Sequence, residues 1–243
     1  MMIHLSQRRL SIGLAAASIF AFPGTITASA QQPDTSAVIR QVDAAVKARV
    51  DNIAGYTVTE HYSVYRDKDE SHPVAEMTVQ TTYRRDIGKS YTILSQTGSE
   101  VIRSLVLGTI LNNEKQLSQP GIQGGAWITS ANYDMTLKPG GTQLLDGRNC
   151  FVIALTPRRK TPYLIEGTLW VDSKDGSIVQ VQGTAPKSSS IFTGHTQLIR
   201  QYANTGGYPQ ATHVRAVSNS YMFGQTIVRI DYRDYQVQLL PPS

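Results

Sequence analysis

The sequence predicts a mainly β domain with helices, an α+β fold built on one large curled antiparallel sheet. Three observations predict it. Apolar and polar residues alternate with period 2 along most of the chain, turn-forming clusters separate the alternating segments at hairpin spacing, and only two segments carry a helical period. A single sheet of about ten strands must curl or split, because open twisted sheets of that width seldom stay flat. Helices laid on its concave side would bury their apolar faces and leave a cavity, one setting in which ligand pockets occur.

The elements follow in order. Val38, Val42, Ala45, Val46 and Val50 recur near the 3.6 period, so a helix is expected over 37–51, with Asp34, Thr35 and Ser36 as candidate caps and Gly55 as its end. Tyr56, Val58, Tyr62 and Val64 then alternate with polar residues as far as Arg66. Beyond the charged loop Asp67-Lys68-Asp69-Glu70, strands are expected at 74–86 and 89–96, turning at Ile87-Gly88. Val101, Ile102, Leu105, Val106, Leu107, Ile110 and Leu111 break the alternation and predict a very apolar helix over 100–115. Pro120, Gly121, Gly124 and Gly125 mark 117–131 as a loop that carries Trp127 and Ile128. From Tyr133 onward hairpins are expected around Asp146-Gly147 and Ser173-Lys174-Asp175-Gly176, then strands at 194–203, 209–220 and 225–239.

Composition narrows the function classes. The 243 residues are 40% hydrophobic and 17% charged, which excludes a disordered chain and a polytopic helical membrane protein. One cysteine, Cys150, excludes an internal disulfide framework and cannot by itself build a zinc site; within a strand it reads as a small buried hydrophobe. Arg8 and Arg9 precede an apolar run over 12–22, followed by Ala28-Ser29-Ala30, which reads as a signal peptide cleaved after residue 30. The apolar run is too short to span a bilayer, so no integral membrane segment is expected after cleavage. The two arginines admit twin-arginine export, but Leu10-Ser11-Ile12 fits that route loosely and the general secretory route is favoured. The expected mature chain is a single domain over 31–243.

Without Arg8 and Arg9 the formal charge falls from +5 to +3, since 21 basic residues then face 18 acidic ones. Such a balance, with its basic residues scattered, gives no footprint for nucleic acid. Arg158-Arg159-Lys160 is the one dense basic run, read either as a solvated loop or as a contact for anionic lipid headgroups. The sequence has no G-x-S-x-G, H-E-x-x-H or G-x-x-x-x-G-K motif, and its remaining histidines, His61, His72, His195 and His213, stand singly. Ser188-Ser189-Ser190 reads as a polar loop, and Asp172, Asp175 and Gly176 as a turn. No enzyme activity, cofactor or metal is expected. Tyr56, Tyr62, Tyr83, Tyr163, Tyr221 and Tyr235 suit half-exposed sheet faces.

Several segments together carry a resemblance. They are Gly55-Tyr56, the helix near 100–115, Asn132-Tyr133, Leu145-Asp146-Gly147, Leu155-Thr156-Pro157, Gly167-Thr168-Leu169-Trp170-Val171-Asp172 and Ile230-Asp231-Tyr232. In this order the chain resembles the periplasmic outer-membrane lipoprotein-sorting (LolA-like) family over nearly all of its expected mature length. The resemblance implies an unclosed β-barrel with its concave face covered by helices, shared with lipoprotein receptors and RseB-type regulators. It also implies a soluble periplasmic carrier or binding protein for acyl chains of lipid or lipoprotein. With no cysteine at the expected mature start, the chain resembles the soluble carrier more than the lipid-anchored receptor. The arginine that locks the carrier's lid has no placed counterpart here. The alternative is a periplasmic interaction or regulatory module that contacts an envelope protein and carries no lipid.

One-sided alternation puts Leu105, Ile110 and Leu111 of the apolar helix, Trp127 of the loop, and Val228, Ile230 and Tyr232 of the last strand on the expected hydrophobic cavity. Arg158, Arg159 and Lys160 are the expected headgroup contacts. A monomer is expected.

Overall fold

The computed structural model describes residues 33–67, 69–185, 196–220 and 224–241. The expected export segment lies outside them, as do Ser188-Ser189-Ser190, His195 and Tyr221. Helix α1 (Thr35–Asn52) is followed by β1 (Ile53–Arg66), β2 (Ala75–Arg84) and β3 (Gly88–Gly98). A continuous helical stretch comes next: α2 (Glu100–Ile102), a π-helical segment (Arg103–Gly108) and α3 (Thr109–Leu117). After a 3-10 turn (Gln123–Ala126) the chain runs through β4 (Tyr133–Leu145), β5 (Arg148–Pro157), β6 (Glu166–Asp172) and β7 (Ile178–Ala185), then β8 (Thr196–Thr205), β9 (Tyr208–Ser220) and β10 (Gly224–Leu239).

Among the described residues these strands form one 10-stranded sheet, ordered β3-β2-β1-β10-β9-β8-β7-β6-β5-β4. Every pairing is antiparallel. Strands β3 and β4 are its two edges, so the sheet does not close. This is the unclosed, helix-bearing sheet that the resemblance implied. Its one long-range join pairs β1 with β10, from Ile53 opposite Leu239 to Arg66 opposite Thr226. Elsewhere the paired strands are neighbours in sequence, as consecutive elements usually are in space. Asp146 (φ 48°) and Gly147 (φ 75°) make a two-residue turn between Leu145 and Arg148, as the left-handed conformations of such hairpins require.

Some boundaries differ from those the sequence predicts. Helix α1 starts at Thr35, where the Asp34 carboxylate accepts from Ser36 N at 3.0 Å. It ends at Asn52, and Gly55 lies inside β1. A Cβ at Gly55 would stand 2.6 Å from the Tyr83 carbonyl oxygen, so glycine there serves the close approach of β2 rather than a helix stop. The expected helix over 100–115 runs on to Leu117 and has a π-helical middle.

Two apolar clusters hold the helices to the sheet. In the first, Ile102, Val106, Leu107 and Leu111 pack with Tyr62, Val64, Met77, Val79, Val214, Val228 and Ile230. In the second, Val38 and Val42 of α1 pack with Tyr133, Leu137, Ile153, Leu155, Leu164, Leu169, Val171 and Val181. The opposite sheet face is polar: His213 Nδ1 lies 2.8 Å from Asp231, and Glu70 bridges Arg215 and Arg229. Arg229 also sits 4.9 Å from the ring centre of Tyr65. Cys150 is fully buried in β5, and burial raises its thiol pKa, which leaves it unreactive.

Candidate functional site

A cavity of about 340 Å³ is lined by α1, the end of α3, the loop after it and the floor of the sheet. Its apolar lining comes mainly from the covering elements. Val38 and Val42 spend the first turns of α1 in the second cluster, and the same stripe continues as Ala45, Val46 and Val50 into the cavity. Leu117 closes α3, while Ala126, Trp127 and Ile128 project from the loop.

That loop is pinned by polar ties. The Asn132 side-chain amide donates to the carbonyls of Gly124 (2.9 Å) and Trp127 (2.7 Å), and its Oδ1 accepts from Arg159 Nη2 at 2.7 Å. Arg159 also donates to the Gly125 carbonyl at 2.8 Å. From the helix side, the Asp43 carboxylate accepts from Ser130 N and Oγ, at 2.9 and 2.5 Å. Buried Asn132, only 4% exposed, thus sets where Trp127 stands.

The sheet supplies a polar floor. Tyr56, Tyr83, Tyr232 and Tyr235 form a ring cluster, with Tyr56 and Tyr83 stacked at 5.0 Å, Tyr56 and Tyr235 edge-on at 5.7 Å, and Tyr232 and Tyr235 stacked at 6.4 Å. Residues 232 and 235 would face opposite ways in a regular strand. Asp234 adopts φ 58° at a register shift where Thr57 pairs with Gln236 and Thr59 with Arg233. The bulge inserts one residue and returns both tyrosines to the same side.

Four ionisable residues lie among these rings: Glu60, Lys89, Glu114 and Arg200. Lys89 Nζ lies 2.5 Å from Glu114, and the two side chains keep 19% and 20% of their surface. Burial opposes the charge on Glu114, but Lys89 and Arg200 outweigh it and hold its pKa below the ordinary value. Burial opposes the charge on Lys89 too, and Glu114 reverses that, carrying its pKa well above the ordinary range. Burial opposes the charge on Arg200, and the Glu114 carboxylate and a hydrogen bond with Tyr202 favour it, so Arg200 stays protonated.

Glu60 is the exception. It is 1% exposed and accepts from the Tyr62 hydroxyl, yet burial outweighs the attraction of Lys89 and raises its pKa. A raised folded-state pKa favours the fold fully only below the unfolded value near 4.5, and this contribution is lost as pH rises through the folded value. Glu60→Gln is therefore expected to raise stability at neutral pH by about 1–3 kcal/mol, removing an unfavourable buried charge. Thermal melts from pH 4 to pH 8 test it: the gain over the parent should vanish at the acid end and grow toward neutrality.

The residues expected at the cavity divide. Trp127 and Tyr232 line it. Leu111, Val228 and Ile230 lie within the first apolar cluster, and Leu105 and Ile110 pack against that cluster, because the apolar helix spends its face on the sheet. In the basic run, Arg158 pairs with Asp134 at 2.9 Å and Arg159 holds the loop, while Lys160 is exposed. Sequence reasoning missed the floor charges and the α1 lining. Glu60 shares parity with Tyr56, Val58, Tyr62 and Val64, and that phase was the available signal. Among the described residues, no three His, Cys, Asp or Glu side chains gather as a metal site.

No family model and no curated protein matches the sequence. Several solved structures are similar to the chain, three of which follow. A putative outer-membrane lipoprotein-sorting domain from Vibrio parahaemolyticus is 12% identical with a TM-score of 0.46, over 82% of this chain and 91% of that one. A LolA superfamily protein from Nitrosomonas europaea is 11% identical with a TM-score of 0.45, over 85% and 94%. A DUF1329 family protein from Desulfovibrio piger is 15% identical with a TM-score of 0.42, over 83% and 93%.

Proposed function

We propose that the protein is an exported, periplasmic binding protein or carrier for acyl chains of lipid or lipoprotein. The observation that carries this reading is the 340 Å³ cavity roofed by Ala45, Val46, Val50, Leu117, Trp127 and Ile128. Its volume falls in the range of small-ligand pockets. Each buried methylene contributes about 0.8 kcal/mol, so a chain laid along that roof supplies ample gross affinity. The chemistry is burial and release, with no covalent step. The signal-like segment over residues 8–30 supports export, and no described helix is long and apolar enough to cross a membrane. Arg158, Arg159 and Lys160 remain the proposed headgroup contacts, and Lys160 is exposed.

Binding of a neutral dansyl-labelled dodecyl probe tests this reading. The parent protein should bind it saturably, with blue-shifted dansyl emission. Ala45→Trp, which fills the cavity from α1, should weaken binding about tenfold while the melting temperature holds within a few degrees. A parent protein that takes up no probe would overturn the proposal.

A further inference from the structure

Unpartnered polar atoms concentrate at the cavity. Five buried side-chain polar atoms among the described residues have no hydrogen-bond partner, and three belong to side chains that line it: Glu60 Oε1, Arg200 Nε and Gln210 Nε2. Leaving such a group unpaired costs about 1–3 kcal/mol, so three around one cavity is an arrangement that a ligand would relieve. Gln210 is 1% exposed, and Arg49, itself part of the cavity lining, sets its orientation. Arg49 donates through Nε to the Pro209 carbonyl and through Nη2 to Gln210 Oε1, both at 3.0 Å, which commits the amide oxygen and leaves the N–H side to spare.

The spare groups have a definite polarity. Arg200 Nε and Gln210 Nε2 can only donate, so their ligand must accept. The lining carries three cations, Arg49, Lys89 and Arg200, against two carboxylates, Glu60 and Glu114. Glu114 is already paired with Lys89. Burial raises the pKa of Glu60 and so disfavours its charged form. The apolar roof stands over this floor, so the cavity is polar on one side and greasy on the other.

Resting on the acyl-binding reading above, we infer that the cavity selects an amphiphile with a carboxylate head, taken in head first. The head oxygens accept from Arg200 Nε and Gln210 Nε2 beside Glu60, and the chain lies against Val46, Val50, Leu117 and Trp127. A guanidinium and an amide N–H converging on one carboxylate form the stronger, charge-assisted kind of hydrogen bond. A purely apolar cavity would have no use for them.

Displacement of the neutral dansyl dodecyl probe by dodecanoate, dodecanol and dodecyltrimethylammonium tests the inference on the full chain. Dodecanoate should compete about tenfold or more better than the alcohol, and the cationic amphiphile worst. In Arg200→Gln and in Gln210→Leu the ratio of acid to alcohol should fall toward one. Gln210→Leu keeps the side-chain size, so it carries the test if Arg200→Gln fails to fold. Equal competition by acid and alcohol would overturn the carboxylate inference while leaving the acyl-binding reading intact, as would a preference that survives both substitutions. Absence of probe binding by the parent would overturn both.

Discussion

Lys89→Met is expected to destabilise the protein by about 3 kcal/mol, the lower end of the range for breaking a buried ion pair, since each partner keeps some exposure. The substitution leaves the buried Glu114 without the cation that attracts it most. Arg200 compensates only in part, because its attraction for Glu114 is weaker than that of Lys89. Lys89→Met/Glu114→Leu should recover most of the loss, since removing both charges also removes both desolvation penalties. Urea unfolding of the parent, the two single variants and the double variant measures the coupling directly. A double variant no more stable than Lys89→Met would sink this account. The pH signature has a definite sign. Glu114, with a depressed pKa, contributes stability present above its unfolded value of 4.5 and lost as pH falls through the folded value. Lys89, with a raised pKa, contributes stability present below 10.5 and lost as pH rises through its folded value. The deficit of Lys89→Met should therefore be greatest between those limits and narrow on both sides.

Leu107→Ala is expected to cost about 2–5 kcal/mol, which for a domain of this size lowers the melting temperature by about 2–4 °C per kcal/mol. Leu107 is fully buried in the first apolar cluster and sits in the π-helical segment. Such π-helical turns are rare and occur mostly as short insertions in α-helices, and this one packs on β1, β2, β9 and β10. Val101, six residues earlier and 56% exposed, is the control: Val101→Ala should stay within about 0.5 kcal/mol. Equal effects at the two positions, measured by thermal and denaturant unfolding, would contradict the packing described for this helix.

The same residues explain what was legible in the sequence. Strand alternation and turn chemistry are local, so the hairpins, the apolar helix and the mainly β class could be read from windows of a few residues. Leu105, Ile110, Leu111, Val228 and Ile230 were legible as apolar and one-sided. Whether such a face packs against the sheet or lines a cavity depends on what lies opposite, and alternation carries no information about that. The floor charges were half legible. Glu60 keeps the phase of Tyr62 and Val64, Arg200 that of Leu198 and Tyr202, and Lys89 that of Tyr91. Reading charged residues by type places them on the wet face, whereas their phase places them inside. Tyr235 was illegible, because the positive φ of Asp234 shifts the parity of β10 at a residue that no turn motif marks.

The sequence by itself determined a mainly β chain of successive antiparallel hairpins with two helices, because φ/ψ preference and side-chain period act between near neighbours. Only the tertiary structure decided that β1 joins β10, that α1 rather than the apolar helix supplies most of the helical lining, and that the floor is charged. Lys89 and Glu114 stand 25 residues apart, and Arg49 and Gln210 stand 161 apart. No local preference couples positions at those separations; the folded sheet brings them together, and burial then makes their charges matter.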